Sequence, residues 1–170
     1  MNRRVLFLLI IASLATALVG QWIYAQGRSD HQLIKGVTDA KVTLQQGLTA
    51  AAQQGRPISA KFEVEDGKFQ LSVYTAKGGD FTEVIVDPKT GAIAQAEKIK
   101  DSEDLNAAAK QKAAVDKATV SLLAATEKAV KAHPGDRAVS IFPETTAGHP
   151  TAEVTLMQGQ TFKKVPEKLS

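Results

Sequence analysis

The stretch Glu83-Val84-Ile85-Val86-Asp87-Pro88-Lys89-Thr90-Gly91, running on into Ala92-Ile93-Ala94, decides how this chain is read. β-Branched residues lead up to Asp87 and resume after Gly91, which reads as strand, tight turn, strand. Asp87 can accept hydrogen bonds from backbone groups ahead of it, and Pro88 presets φ. Gly91 can take the positive φ that leads into the next strand. Asp87, Pro88 and Gly91 are therefore given a structural role, as the turn itself.

Upstream, Lys77-Gly78-Gly79-Asp80 turns the chain into the strand that starts at Phe81. Lys68 to Ala76 alternates, with Phe69, Leu71 and Val73 on one face, and Asp66-Gly67 is a hairpin turn signal. Ile58 to Glu65 alternates in the same way, with Ala60, Phe62 and Val64 on one face. Before it, Thr43-Leu44-Gln45-Gln46 is a capping box: Thr43 caps a helix and Gln46 reaches back. Leu44, Leu48 and Ala51 or Ala52 recur at helical spacing, Gly47 weakens the helix, and Gly55 ends it. The unit is one helix followed by four strands, the last being Ala92 to Ile99.

Downstream, residues 100–116 are rich in Ala, Lys, Asp and Glu. Asp101 or Ser102 can cap a helix through Leu105, Ala109 and Lys112, and the composition suits a charged linker, either solvated or packed. The unit then restarts. Ala118-Thr119-Val120-Ser121-Leu122 parallels Ala40-Lys41-Val42-Thr43-Leu44, and Leu122, Ala125, Ala129 and Ala132 form a helix face ended by His133-Pro134-Gly135. Arg137 to Phe142, set against Ala60 to Val64, is the first strand, and Thr145 to His149 is a longer turn. Thr151 to Met157 follows. Gln158-Gly159-Gln160 leads to Thr161-Phe162-Lys163-Lys164-Val165, which parallels Asp80 to Val84. The fold class predicted is α+β: two small modules, near residues 37–99 and 117–166. Each is a helix packed on a three- to four-stranded antiparallel sheet.

These segments resemble the PepSY family. The resemblance lies in AKVTLQQGLTAAAQQG, KFEVEDGKFQLSVYT and EVIVDPKTGAIAQAEKI, and in ATVSLLAATEKAVKAH, AVSIF and PTAEVTLMQGQTFKKV as a divergent, truncated second copy. It implies a tandem of modules similar to part of the propeptide of thermolysin-type metalloproteases. It also implies an exported bacterial protein with a protease-inhibiting or protease-regulating role. It brings no catalytic residues with it.

The N-terminus supports export on its own. Asn2-Arg3-Arg4 is a positive n-region, Val5 to Val19 is apolar apart from Ser13 and Thr16, and small residues precede the polar Gln26-Gly27-Arg28. Residues 1–25 thus read as a signal peptide, with cleavage after Ala25 favoured over Ala17 and Gly20. The alternative is an uncleaved membrane anchor over Val5 to Ala25, with Arg3 and Arg4 inside and Trp22 and Tyr24 at the outer interface. Either way the remainder is periplasmic, secreted or held on the outer side of the cytoplasmic membrane.

With 170 residues, 44% hydrophobic and only 5% aromatic, the core must be built of Ala, Val, Leu and Ile. The absence of cysteine excludes disulfides and thiolate metal sites. The net charge is +3, part of it from Arg3 and Arg4, and no basic block with interleaved aromatics appears, which argues against nucleic acid. His31, His133 and His149 share no ligand spacing. His31 falls in the mature N-terminal tail, His133 at a helix C-terminus where a cation suits the dipole, and His149 in a turn. There is no HExxH, no GxSxG elbow and no phosphate loop. An enzyme is not expected, nor a cofactor or metal.

The residues left for binding are on strands. Lys68, Gln70, Ser72 and Tyr74 fall opposite the Phe69-Leu71-Val73 face. Phe162, Lys163 and Lys164 fall on a strand with no successor, an edge that could pair with an extended segment, although lysines and Pro166 blunt such edges. The reading is an exported, non-catalytic module that binds a protein or peptide, with an exported protease as the first partner to consider. The alternative is a structural or sensory envelope protein.

Overall fold

The structure, a computed structural model, describes residues 22–170, with side chains from Asp30 onward. Most of the predicted signal peptide, residues 1–21, lies outside the described residues. Trp22 to Ala25 open helix α1 (Trp22–Asp39), which also carries His31 as an exposed helical residue where a tail was expected. No helix among the described residues is long and apolar enough to cross a membrane.

The elements continue with α2 (Leu44–Ala51), β1 (Arg56–Glu65), β2 (Lys68–Lys77), β3 (Asp80–Val86) and β4 (Ile93–Lys98). Then come α3 (Ser102–Asp116), α4 (Leu122–Ala132), β5 (Arg137–Thr146), β6 (His149–Gln158) and β7 (Thr161–Lys168). All the strands belong to one seven-stranded antiparallel sheet, in the order β4-β3-β2-β1-β5-β6-β7. The expected pair of separate helix-on-sheet modules is therefore wrong: the described residues form a single domain. The correction rests on one pairing. β1 joins β5 through Ala60↔Ile141 and Lys61↔Ser140. Each meander begins with a strand whose outer edge would otherwise stay unpaired, and each supplies what the other edge needs.

The strand register separates two faces. Ala60, Phe62, Leu71, Val73, Val84 and Val86 share one, continued across the junction by Ile141, Val154 and Leu156, all buried. Helices α2 and α4 pack side by side on this core face. Thr43 and Ser121 cap them, Thr43 within a full capping box. Gly47 in α2 has a packing reason: a Cβ there would lie 2.3 Å from Leu71 Cδ2. Helix α3 takes the other face. Ser59 Oγ donates to Gln111 Oε1 at 2.7 Å, Arg56 Nη2 donates to the Val115 carbonyl at 2.7 Å, and Ala108 and Ala114 are fully buried. The segment that suited a linker thus covers the seam between the two halves.

The halves repeat more closely than their sequences do. Both first strands carry an irregularity, between Pro57 and Ser59 and between Ala138 and Ser140. Both first hairpins turn through a positive-φ pair, Asp66-Gly67 and Ala147-Gly148, and Gly78 and Gly159 turn the second hairpins. The spacing is constant at 81 residues (57 to 138, 66 to 147, 78 to 159). Arg137 therefore matches Arg56, which corrects the pairing of Arg137 to Phe142 with Ala60 to Val64. The cause is helix length: α4 has 11 residues and α2 has 8, which shifts everything behind it. The longer turn expected at Thr145 to His149 is in fact the two-residue Ala147-Gly148 turn, so β5 and β6 run further than predicted. Ala147 gave no turn signal because Asn or Asp is the usual residue there.

Both helix entries are tied down alike. The Lys41 and Val42 amides donate to the Pro88 carbonyl, and those of Thr119 and Val120 to the Leu169 carbonyl. In the first half this acceptor comes from the DPKTG turn. Asp87 Oδ1 accepts from the Lys89 and Thr90 amides at 2.9 and 2.8 Å, and Gly91 has φ +77.

Candidate functional site

The core face is covered by helices along its length, whereas α3 leaves part of the opposite face open beside β1, β2 and β3. There the strands, β4 and the start of α3 enclose a groove of 850 Å³. Cross-strand register builds it. Ser59↔Tyr74, Lys61↔Ser72 and Glu63↔Gln70 align β1 with β2, and Tyr74↔Glu83 and Glu83↔Glu97 carry the same face across β3 and β4. Asp101, which caps α3, and Asp104 in its first turn close one side.

Most of these polar groups are held. Tyr74 Oη donates to Glu83 Oε1 at 3.0 Å, Ser72 Oγ to Glu63 Oε1 at 2.5 Å, and Gln70 Nε2 to Glu65 Oε2 at 2.8 Å. Lys61 Nζ lies 2.6 Å from Glu63 Oε2 and 5.9 Å from the centre of the Tyr74 ring, so one cation serves a carboxylate and a π face together. Tyr74 is only 6% exposed. Burial, then the Glu83 charge, push its hydroxyl far above its ordinary pKa, so it acts as a neutral donor. Glu83 is raised above the ordinary carboxylate value by burial, against the lowering effect of the Tyr74 bond, with Glu63 and Glu65 adding repulsion. Asp104 is raised by burial, then by Asp101.

Carboxylate oxygens of Glu63, Glu65 and Glu83 come within 4.8 Å of one another. Such a spacing suits a cation, and Lys61 already fills that role for Glu63. The arrangement offers hydrogen-bond acceptors and negative charge around a buried tyrosine, which suit recognition.

The residues predicted for binding fall in two separate places. Tyr74 lines the groove and is buried, while Gln70, half-buried, adjoins it through its bond to Glu65. Lys68 is exposed at the hairpin end, opposite Glu65. Phe162, Lys163 and Lys164 are on β7, with β1, β5 and β6 between them and β2. Phe162 is half-buried against the core, Lys164 Nζ is 2.8 Å from Glu153 Oε1, and Lys163 Nζ is 2.6 Å from Oδ2 of Asp136, whose side chain is 1% exposed. β7 is a sheet edge, and Pro166 within it lacks an N–H. Glu83, Glu97 and Asp104 were missed as groove residues. Alternation around Phe81, Glu83 and Ile85 could have placed Glu83 opposite Val84, but the position of α3 has no local signal. Of the histidines, His133 caps α4 and His149 opens β6, exposed.

No family model and no curated protein matches the chain, so the PepSY resemblance rests on its quoted motifs. Among solved structures, the chain is similar to a candidate lipoprotein from Clostridium difficile 630. Identity is 17% and the TM-score 0.44, over 78% of this chain and 89% of that one.

Proposed function

We propose that this is an exported, non-catalytic binding protein that receives a protein or peptide segment in the groove of its first half. One observation carries the reading. At equivalent positions the core residues keep their apolar character, Val73 and Val84 matching Val154 and Val165, whereas of the central groove residues only Glu63 recurs, as Glu144. Lys61, Ser72, Tyr74 and Glu83 are matched by Phe142, Glu153, Thr155 and Lys164. A fold that forms the same strands with either set does not require the Lys-Ser-Tyr-Glu set of the first half, which leaves that arrangement open to a role in binding. The negative charge lining the groove favours a segment carrying basic residues.

The PepSY-like motifs make an exported protease the first partner to try. The export signal puts the protein where such an enzyme acts. Purified protein lacking residues 1–25 is mixed with proteases of the same compartment, and binding and inhibition are measured for wild type and Tyr74→Ala. Binding that Tyr74→Ala weakens about tenfold or more, the loss of roughly 1.4 kcal/mol, supports the proposal. Lack of binding across those proteases moves the reading to a structural or sensory envelope role, and turnover of a substrate by the purified protein overturns both.

A further inference from the structure

The sheet ends in two edges whose backbones differ. On β7, the Leu169 amide donates to the Pro150 carbonyl at 3.0 Å, and antiparallel alternation then turns the backbone groups of Lys164 and Pro166 outward. Pro166 leaves a gap in that row of donors. On β4, the Ile99 amide donates to the Phe81 carbonyl at 3.0 Å. The same alternation commits the backbone of Gln95 and Glu97 to β3 and turns the N–H and C=O of Ala96 and Lys98 outward. No strand among the described residues pairs with that side. A register irregularity between Ile85 and Val86 limits the regular run of this edge to residues 95–99. The edge also borders the groove: Ala96, Glu97, Lys98 and Ile99 line it, with Glu97 beside Glu83 on the groove face. A strand added here would widen the groove floor by one strand. The lining carries six carboxylates against three lysines, of which Lys61 lies 2.6 Å from Glu63 and Lys98 2.7 Å from Asp80. A second copy of the chain paired edge to edge would set two acidic grooves side by side, and like charges across strands destabilise.

We infer that the partner's segment binds as an added strand along the outer edge of β4, in extended form, with Lys or Arg at alternate positions facing the groove. The outward groups of Ala96 and Lys98 supply the main-chain hydrogen bonds, which accept any sequence. Glu97 and Glu83 supply the choice of side chain, because alternate residues of the added strand fall on their face of the sheet and opposite charges on neighbouring strands attract. The inference rests on the groove reading above and names how the segment is held.

The test titrates the full chain with two capped synthetic peptides, one alternating Lys and Thr and one alternating Glu and Thr. The Lys peptide should bind at least about tenfold more tightly than the Glu peptide. At a peptide concentration about ten times its Kd, exchange of the Ala96 and Lys98 amides should slow about tenfold. Ala96→Pro removes one outward donor and no bond to β3, so it should weaken the Lys peptide about tenfold or more. If that variant does not fold, Glu97→Lys takes its place and should reverse the preference between the peptides. No binding of the Lys peptide up to about 1 mM overturns the inference. So do equal binding of the two peptides, unchanged exchange at Ala96 and Lys98, or a preference that Glu97→Lys leaves as it was. A concentration-dependent dimer that Ala96→Pro dissociates also overturns it, by giving the edge to a second copy. Binding that Tyr74→Ala weakens and Ala96→Pro does not overturns the edge alone and leaves the groove reading standing.

Discussion

In the first half of the sheet, β1 to β3 set Lys61, Glu63, Ser72, Tyr74 and Glu83 on the face shared with α3. The second half sets Phe142, Glu144, Glu153, Thr155 and Lys164 at the equivalent positions. The backbone beneath is the same, down to matched irregularities at Pro57/Ser59 and Ala138/Ser140. The halves also differ at their outer ends. β4 covers β3 in the first half, while β7 is left as an edge carrying lysines and Pro166. The lesson is a division of labour: apolar alternation on one face is enough to form the sheet, which frees the other face to differ. One half uses it for a charged groove, and the other ends in an edge guarded against pairing.

That comparison can be broken first at the seam. Ile141 is fully buried where the halves meet. Ile141→Ala should cost about 2–5 kcal/mol, the range for emptying a packed aliphatic site, and the loss should appear as one shifted transition in calorimetry. Two separate transitions in the wild type would mean that the halves fold as independent modules after all.

The next effect is local to the first half. Gly91 holds φ +77, and a Cβ there would meet Val42 Cγ2 at 3.6 Å, so the obstacle is backbone conformation and not space. Gly91→Val should lose on the order of 1–3 kcal/mol, read as a lower melting temperature. An unchanged melting temperature would show that the turn relaxes. Because Pro88 in this turn accepts the Lys41 and Val42 amides, exchange at those two amides should speed up as well.

A smaller effect sharpens the contrast in charge. Glu83 binds its proton more tightly folded than unfolded. Its contribution to stability is therefore fully present below the ordinary carboxylate value and is lost as pH rises through the raised folded value. Glu83→Gln should accordingly melt higher than wild type at pH 7, with the gap closing on acidification. Lys164, its counterpart, is an exposed partner of Glu153, and Lys164→Gln should cost less than about 1 kcal/mol. A Glu83→Gln advantage that persists unchanged at acid pH would mean that charge is not its cause.

Much of this was legible in the sequence, because strands, caps and tight turns write themselves locally. Thr43 with Gln46, Ser121, the alternation of Phe69, Leu71 and Val73, and Asp87 to Gly91 all depend on neighbours a few residues away. The single sheet was not legible, since two paired positions, Ala60 with Ile141 and Lys61 with Ser140, decide it from 81 and 79 residues apart. Nor was the burial of α3, whose buried stripe is Ala108, Gln111, Ala114 and Val115, too weakly apolar to stand out from its charged composition. Leu169, fully buried, lies beyond the predicted end of the second module at residue 166. Within the groove, the position of Tyr74 followed from alternation along one strand. Glu83 and Asp104 depended on which elements lie beside them.

The most direct measurement is a matched pair of substitutions at equivalent positions, Tyr74→Ala in the first half and Thr155→Ala in the second, titrated against an exported protease that binds the wild type. The account predicts that Tyr74→Ala weakens binding about tenfold or more while Thr155→Ala leaves it within about twofold, with both proteins folded by circular dichroism. Equal losses from the two substitutions, or a loss confined to Thr155→Ala, would contradict a binding surface that belongs to the first half.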